Sequence, residues 1–368
     1  MTRSRKPPTR SDARPASRSE ARPARPPRDE RRPARPDPRD EAAAPAYPPI
    51  DPAVLAPRAV AGDPTAPVML VTDGWDDYRL LDSGHGRKLE KYGPMRIVRP
   101  EEQALWSPRL APAEWEAADA VFTGDVEEEG PGRWRFSGRH PETWGMRHGP
   151  VRFSCRFTSF RHTGVFPEQV AHWTWMREIL ARAVAAGRRP KVLNLFGYTG
   201  LASLLAAEAG AEVTHVDASK KSIAWARENQ AESGLDHLPI RWICDDAVKF
   251  VQRDVRRGAR YDLILLDPPK FGRGPEGEVW DLFTGLPDML RACETLLAAD
   301  ALALDLTVYA MRSSYASFHE LTAEIFARRR GRLDSGELFL EETPAPGSDV
   351  VRRLATSLYV RWTSETRP

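Results

Sequence analysis

The stretch KVLNLFGYTGLAS, Lys191–Ser203, decides the fold. KVLNLF is a short apolar run, the pattern of a strand covered on both faces. A glycine-bearing turn follows, and GLAS opens a helix. Open α/β sheets hold nucleotide-type cofactors on such a strand–turn–helix unit. A dinucleotide turn, G-x-G-x-x-G, lets bare backbone approach a pyrophosphate. Here only Gly197 and Gly200 are glycines, and Phe196 and Tyr198 stand where bare backbone is wanted. A Gly-Lys-Ser/Thr phosphate loop is absent from the turn as well. The turn suits a cofactor with an adenosine moiety and no phosphate, and S-adenosylmethionine (SAM) fits that description.

Downstream of a helix expected from Pro167 to Gly187, strands and helices alternate. The strands read KVLNLF, EVTHVD, IRWICDD, YDLILLD and ALALDLT, with helices between them. The C-terminal GELFLEE and ATSLYVRW read as a hairpin-like edge. This is an α/β, doubly wound, Rossmann-like sheet. Asp217 closes the second strand about twenty residues after the turn, where a carboxylate matches a ribose diol. The third strand ends in Asp245-Asp246-Ala247. One aspartate suits the adenine amino group, with the Ala247 amide on a ring nitrogen, and the other suits an N-cap of the next helix.

LLDPPKFG, Leu265–Gly272, ends the fourth strand. Two prolines after Asp267 remove two amide donors and stiffen the turn. What remains is acceptors, the Asp267 carboxylate and nearby carbonyls, which suit a substrate presenting N–H groups. Lys270 has two readings, a phosphate contact or a solvated charge. Phe271 also has two, a stacking platform or a core side chain.

Upstream, residues 66–156 are short β-rich runs broken by Gly, Pro and Asp, a small β-rich domain that offers itself for substrate binding. In VRFSCRFTSF, Val151, Phe153, Cys155 and Phe157 share one face, and Arg152, Ser154, Arg156 and Thr158 share the other. The arginine face fits nucleic acid or plain solvation. Residues 1–46 are Arg, Pro, Ala, Ser and Asp with almost nothing to bury, so a disordered basic tail is expected. Such an arm binds phosphate backbones non-specifically or has no dedicated partner.

The chain has 368 residues, 41% of them hydrophobic and 29% charged, enough for a sizeable soluble core. No apolar run is long enough to cross a bilayer, and no secretory h-region follows the N-terminus. The three cysteines form no CxxC pair, which points to a reducing cytoplasm. The eight histidines show no metal-site spacing, so no metal is expected.

Together, VLNLFGYTG, VDAS, CDDA and DPPKFG, in this order, resemble the class I SAM-dependent methyltransferases. More narrowly they resemble the bacterial RlmI/RlmK-like group, which methylates bases of large-subunit ribosomal RNA. The resemblance covers residues 158–368 and implies a SAM-dependent methyltransferase domain acting on RNA. It implies that the cofactor lies among Asn194, Phe196, Gly197, Tyr198, Thr199 and Gly200, then Asp217, Ala218 and Ser219, then Asp245, Asp246, Ala247 and Asp267. RHTGVFPEQ is similar to the family's T-G-x-x-x-x-Q element, which adds Thr163, Gly164 and Gln169. Asp267, Pro268 and Lys270 are then the catalytic candidates, and Lys270 and Phe271 the substrate contacts.

Common class I enzymes carry an acid at Asn194 and glycines at Phe196 and Tyr198; the narrower group tolerates these changes. RlmI-type enzymes carry a cysteine after the strand that follows D-P-P, and LDLTVYAMRSS has none. Cytosine-5 methylation needs that thiolate, so direct in-line transfer to a nitrogen or similar atom is expected. Cys155, Cys244 and Cys293 read as small buried hydrophobes. The alternatives are a protein or small-molecule methyltransferase, or a non-catalytic RNA-binding or assembly protein that keeps the fold.

Overall fold

The computed structural model describes residues 66–124, 132–309, 313–344, 347 and 349–365. The tail expected at 1–46 lies outside the described residues. Strands β1 (Val68–Thr72), β2 (Tyr78–Gly84), β3 (Arg87–Tyr92) and β4 (Met95–Pro100) come first. A short helix α1 (Pro112–Glu116) precedes β5 (Ala120–Thr123), β6 (Arg133–Phe136), β7 (Thr143–His148) and β8 (Val151–Arg156). A 3-10 turn, Pro167–Gln169, leads into α2 (Val170–Ala185). Then strand and helix alternate: β9 (Lys191–Leu195), α3 (Leu201–Glu208), β10 (Glu212–Asp217), α4 (Lys220–Glu232), β11 (Ile240–Cys244), α5 (Ala247–Arg257) and β12 (Leu263–Leu266). The small strands β13 (Phe271–Arg273) and β14 (Val279–Asp281) form a ribbon before α6 (Leu282–Leu296). The chain continues through β15 (Ala303–Tyr309), α7 (Tyr315–Phe326), β16 (Gly331–Glu341) and β17 (Arg353–Ser364).

The large sheet runs β1-β16-β17-β15-β12-β9-β10-β11. The strands β12, β9, β10 and β11 are mutually parallel, as their apolar runs imply. Strand order reverses between β9 and β12, and a ligand crevice is expected outside the strand ends there. Local caps set the helices at this rim. Ser219 Oγ accepts from the Ser222 amide at 3.2 Å to start α4, and Asp246 Oδ1 accepts from the Lys249 amide at 2.9 Å to start α5.

Three elements differ from the sequence reading. The GELFLEE and ATSLYVRW strands are not the sheet edge. β17 lies between β15 and β16, and β1 adds on outside β16. Val68–Thr72, read with the small β domain, therefore belongs to the large sheet. Its close approach needs Gly336, where an added Cβ would lie 2.1 Å from the Val68 carbonyl oxygen. Val279–Asp281, read as helix, pairs with Phe271–Arg273 instead, and α6 begins at the Asp281 N-cap.

β2–β6 make a five-stranded sheet, and β7 and β8 make a hairpin. Residues of both, such as Tyr78 and Phe153, share one apolar core with α2 and α3. The residues 66–156 and the α/β part are thus continuous in packing, within one compact unit, Ala61–Pro368. The opposite face of the large sheet is covered by α5, α6 and α7. On β8, Val151, Phe153 and Cys155 are fully buried. Its other face is half covered: Ser154 is buried, and Arg156 pairs with Glu228 and stacks on Trp225 of α4. That face is neither fully solvated nor fully available to nucleic acid.

Candidate active site

Two adjoining cavities open at the reversal between β9 and β12. The inner one, about 70 Å³, lies between the sheet and α2. The outer one, about 330 Å³, reaches the ends of β10 and β11 and the β13–β14 ribbon. Phe166, Gln169, Phe196, Tyr198 and Asp267 line both, so they mark the junction.

The glycine-bearing turn is the strained part. Phe196 and Tyr198 adopt left-handed backbone, φ 58° and 50°, which costs of order 1–3 kcal/mol for a side chain with a Cβ. What holds Tyr198 there is Asp217: the Tyr198 amide donates to Oδ2 at 2.9 Å. The Ser219 amide donates to Oδ1 at 2.8 Å. Burial raises the Asp217 carboxyl above its ordinary value, and these two amides offset only part of the rise. Gly197 packs against a buried ring; an added Cβ would lie 2.4 Å from His215. His215 in turn contacts Ser203 Oγ (2.9 Å), which accepts from the Asn194 side-chain Nδ2 (2.9 Å). Asn194 thus braces the turn from below, and burial pushes the His215 ring down to about 3, so it stays neutral.

The other residues named from the sequence divide. Gly164, Asn194, Gly197 and Thr199 line the inner cavity, and Thr199 Oγ1 donates to the Gly164 carbonyl at 2.6 Å. Asp217, Ala218, Ser219, Asp246, Ala247 and Pro268 line the outer one. Gln169 Nε2 donates to Asp267 Oδ2 at 3.0 Å. Thr163, Gly200, Asp245, Lys270 and Phe271 line neither cavity. Thr163 is fully buried behind them, with Oγ1 unpartnered. Gly200 faces Ala226 and Trp242. Asp245 is held by Arg253 at 2.7 Å, so Asp246 combines the capping role with the cavity position. Lys270 is exposed, its ammonium 5.5 Å from the ring of Phe271, which is itself 62% exposed. Phe271 is therefore no core side chain.

Several lining residues gave no signal in the sequence. Trp280 of β14 packs on Phe196 and donates to the Pro269 carbonyl at 2.7 Å, so the ribbon braces the D-P-P turn. Asn194, Leu265, Asp305, Arg361 and Asp334 pair in one register row across β9, β12, β15, β17 and β16. Asp305 and His172 of α2 line the inner cavity. Two guanidinium N–H groups of Arg361 converge on His172 Nδ1, at 2.9 and 2.5 Å. Burial lowers the ring's pKa, so the neutral ring accepts at Nδ1 and carries its proton on Nε2. Asp305 Oδ2 also stands 2.9 Å from Nδ1. A ring nitrogen that accepts from Arg361 cannot donate to Asp305, and the Arg361 guanidinium pairs with Asp305 through Oδ1, at 3.6 Å. His172 Nε2 and Asp305 Oδ1 are buried without a hydrogen-bond partner.

Cys155 and Cys293 are buried, with thiols pushed up by burial, Cys293 to about 12. Cys244, read from the sequence as buried, is exposed because β11 is an edge strand. It lines neither cavity. Replacing Cys244 with Ser should leave methyl transfer within about twofold, and Cys155→Ala and Cys293→Ala should track a stability loss of about 1–3 kcal/mol. A folded, SAM-binding variant with no activity at any one cysteine would restore a thiolate mechanism. Among the described residues, no group of His, Cys, Asp or Glu is placed to hold a metal ion, and no helix is long and apolar enough to cross a membrane.

Residues 110–311 match the S-adenosylmethionine-dependent methyltransferase family. The chain belongs to that family. The crystal structure of a SAM-dependent methyltransferase from Agrobacterium tumefaciens is 54% identical to this methyltransferase, with a TM-score of 0.77 over 82% of this chain and 94% of that one. The ribosomal RNA large subunit methyltransferase K of Neisseria meningitidis serogroup B is 26% identical over 58% of the chain. The large subunit methyltransferase K/L of Syntrophotalea carbinolica is 30% identical over 46%. The chain spans 60% of the first of these relatives and 23% of the second.

Proposed function

We propose that this methyltransferase transfers a methyl group from SAM to a nitrogen of a base in large-subunit ribosomal RNA. The observation that carries the reading is Asp267, a carboxylate at the junction of the two cavities. SAM supplies a methyl group already activated on a sulfonium. The protein's task is alignment and exclusion of water.

The residues present fit this cofactor. Each Asp217 oxygen accepts one amide and keeps a lone pair for a ribose hydroxyl. His172 and Asp305 line the inner cavity, where His172 Nε2–H has no acceptor and Asp305 Oδ1 has no hydrogen bond, only the Arg361 guanidinium 3.6 Å away. An amino-acid zwitterion satisfies both, its carboxylate on the histidine and its ammonium on the aspartate. Asp305→Asn should therefore weaken SAM by about 1–3 kcal/mol and leave 5′-methylthioadenosine, which lacks the amino-acid end, unaffected. Calorimetry showing equal losses for both ligands would refute the assignment.

Phe166, Phe196, Tyr198 and Trp280 wall the outer cavity with aromatic faces suited to a planar base. Asp267, with the Pro268 carbonyl, orients the acceptor N–H group. Lys270 and Phe271 sit outside the cavity on the exposed ribbon, where they suit a flanking phosphate and a flanking base. The names of the two ribosomal RNA relatives support the choice of substrate, and the cytoplasm is the compartment that goes with it. Incubation with tritiated SAM and extract from a deletion strain tests it. RNase should release the label, and methyl-nucleoside mass spectrometry should name the base. Label released by protease instead would overturn the RNA reading.

A further inference from the structure

Glu168 lies in the 3-10 turn beside Gln169, and it is 5% exposed. It lines the outer cavity together with His162 and Tyr309. Among the described residues, no side chain donates a hydrogen bond to its carboxylate. Lys88, Arg99 and Arg161 line a small pocket with it, and each has another contact. Lys88 of β3 bonds Glu101 at 3.0 Å. Arg99 of β4 grips Glu90 of β3 at 2.7 and 2.8 Å and also bonds the Tyr92 hydroxyl. Arg161 stacks over the Tyr309 ring at 5.3 Å. Gln169, next in the chain, reaches Asp267, so Glu168 and Asp267 are two carboxyls on the outer cavity, and the Glu168 carboxylate is hydrogen-bonded by its own backbone amide.

A nitrogen that gains a bond to carbon while keeping its hydrogens becomes cationic, and in a cavity walled by aromatic rings water is a poor proton sink. We propose that Glu168 is the proton acceptor for methyl transfer, with Asp267 holding the acceptor group in line. In that step the acceptor nitrogen bonds the methyl carbon, and the carbon–sulfur bond breaks with its electron pair staying on sulfur. The N–H proton passes to a Glu168 carboxylate oxygen. The inference rests on the proposed function only in requiring an acceptor that carries N–H. The other titratable groups at this wall serve less well. Burial and nearby cations lower His162 well below its ordinary value, and burial raises the Tyr309 phenol. Burial raises Glu168 as well, with Lys88 and Arg99 opposing, and a raised carboxyl moves toward the range where a general base works best.

The test compares wild type, Glu168→Gln and Glu168→Asp in the tritiated-SAM extract assay, across pH. Glu168→Gln should lower the turnover rate by about 10²-fold and lose the acid limb of the pH–rate profile. Its SAM affinity by calorimetry should stay within about twofold. Glu168→Asp should keep the limb. A second readout needs no turnover. An acid with a raised pKa binds more protons folded than unfolded. Wild-type stability should therefore fall as pH rises from the ordinary glutamate range through the raised value, and Glu168→Gln should lack that fall. A Gln variant with wild-type rate and profile would overturn the proposal, as would a rate loss matched by an equal loss of SAM affinity. Wild-type label found in protein would refute the RNA reading alone, and the variants would then be scored on that fraction. Label in neither fraction would refute methyl transfer and the proton acceptor together.

Discussion

Asp267→Ala should lower methyl transfer by about 10²-fold or more while SAM still binds. The D-P-P turn has lost two amide donors, so its useful atoms at the junction are the Asp267 carboxylate and the proline carbonyls. The Pro269 carbonyl already accepts from Trp280, and one Asp267 oxygen accepts from Gln169. The Asp267 carboxylate and the Pro268 carbonyl are the acceptors placed to orient an N–H acceptor group at the cavity junction. Removing the carboxylate also frees Gln169 from its anchor. Because Asp217 and Asp246 stand at the far end of the outer cavity's strand rim, adenosine binding should survive. The measurement is the turnover rate set beside the calorimetric SAM affinity. An active Asp267→Ala enzyme would remove the carboxylate from the chemistry and leave D-P-P as a structural turn.

Asp217→Ala should weaken SAM by about 1–3 kcal/mol, a factor of roughly 5 to 150. Two losses coincide at this carboxylate. The ribose hydroxyls lose a charged acceptor, and the Tyr198 amide loses the bond that holds its left-handed backbone. Nothing else in the turn replaces that bond, so the loop relaxes and the cavity wall formed by Tyr198 shifts. Calorimetry should show the loss for SAM and for 5′-methylthioadenosine alike, in contrast to Asp305→Asn. NAD should not compete with wild type. Tight NAD binding without SAM binding would contradict the cofactor reading.

Much of the α/β part was legible because its signals are local. Apolar runs of strand length, an aspartate pair ahead of a helix, and a glycine-bearing turn after the first strand each act within a few residues. The D-P-P turn is local too. The site was legible only where it follows strand ends. His162, Glu168 and Tyr309 meet from a loop, a 3-10 turn and β15, and nothing in any one segment announces the meeting. The polar row through Asp305 and Arg361 is hidden for the same reason: it exists only once β15, β17 and β16 pair. Asp245 and Asp246 are adjacent and chemically alike, and the choice between them is made by Arg253, further along the helix that follows them. Lys270 and Phe271 follow the motif directly, yet the β13–β14 ribbon carries them outward. Cys244 looked like core because its strand is apolar, and its exposure comes from that strand lying at the sheet edge.

The pairing of β1 with β16 has a consequence for biosynthesis. Val68 meets Gly336, so nearly all of the described chain is made between the two partners. The strands β9 to β12 find one another early, as each emerges. The apolar VMLV segment does not; it waits, with its backbone groups unpaired, until the C-terminal strands leave the ribosome. A nascent chain halted before Gly331 therefore lacks three strands of the large sheet rather than two. Its orphaned first strand is a natural substrate for chaperones, and a seed for aggregation where they are scarce.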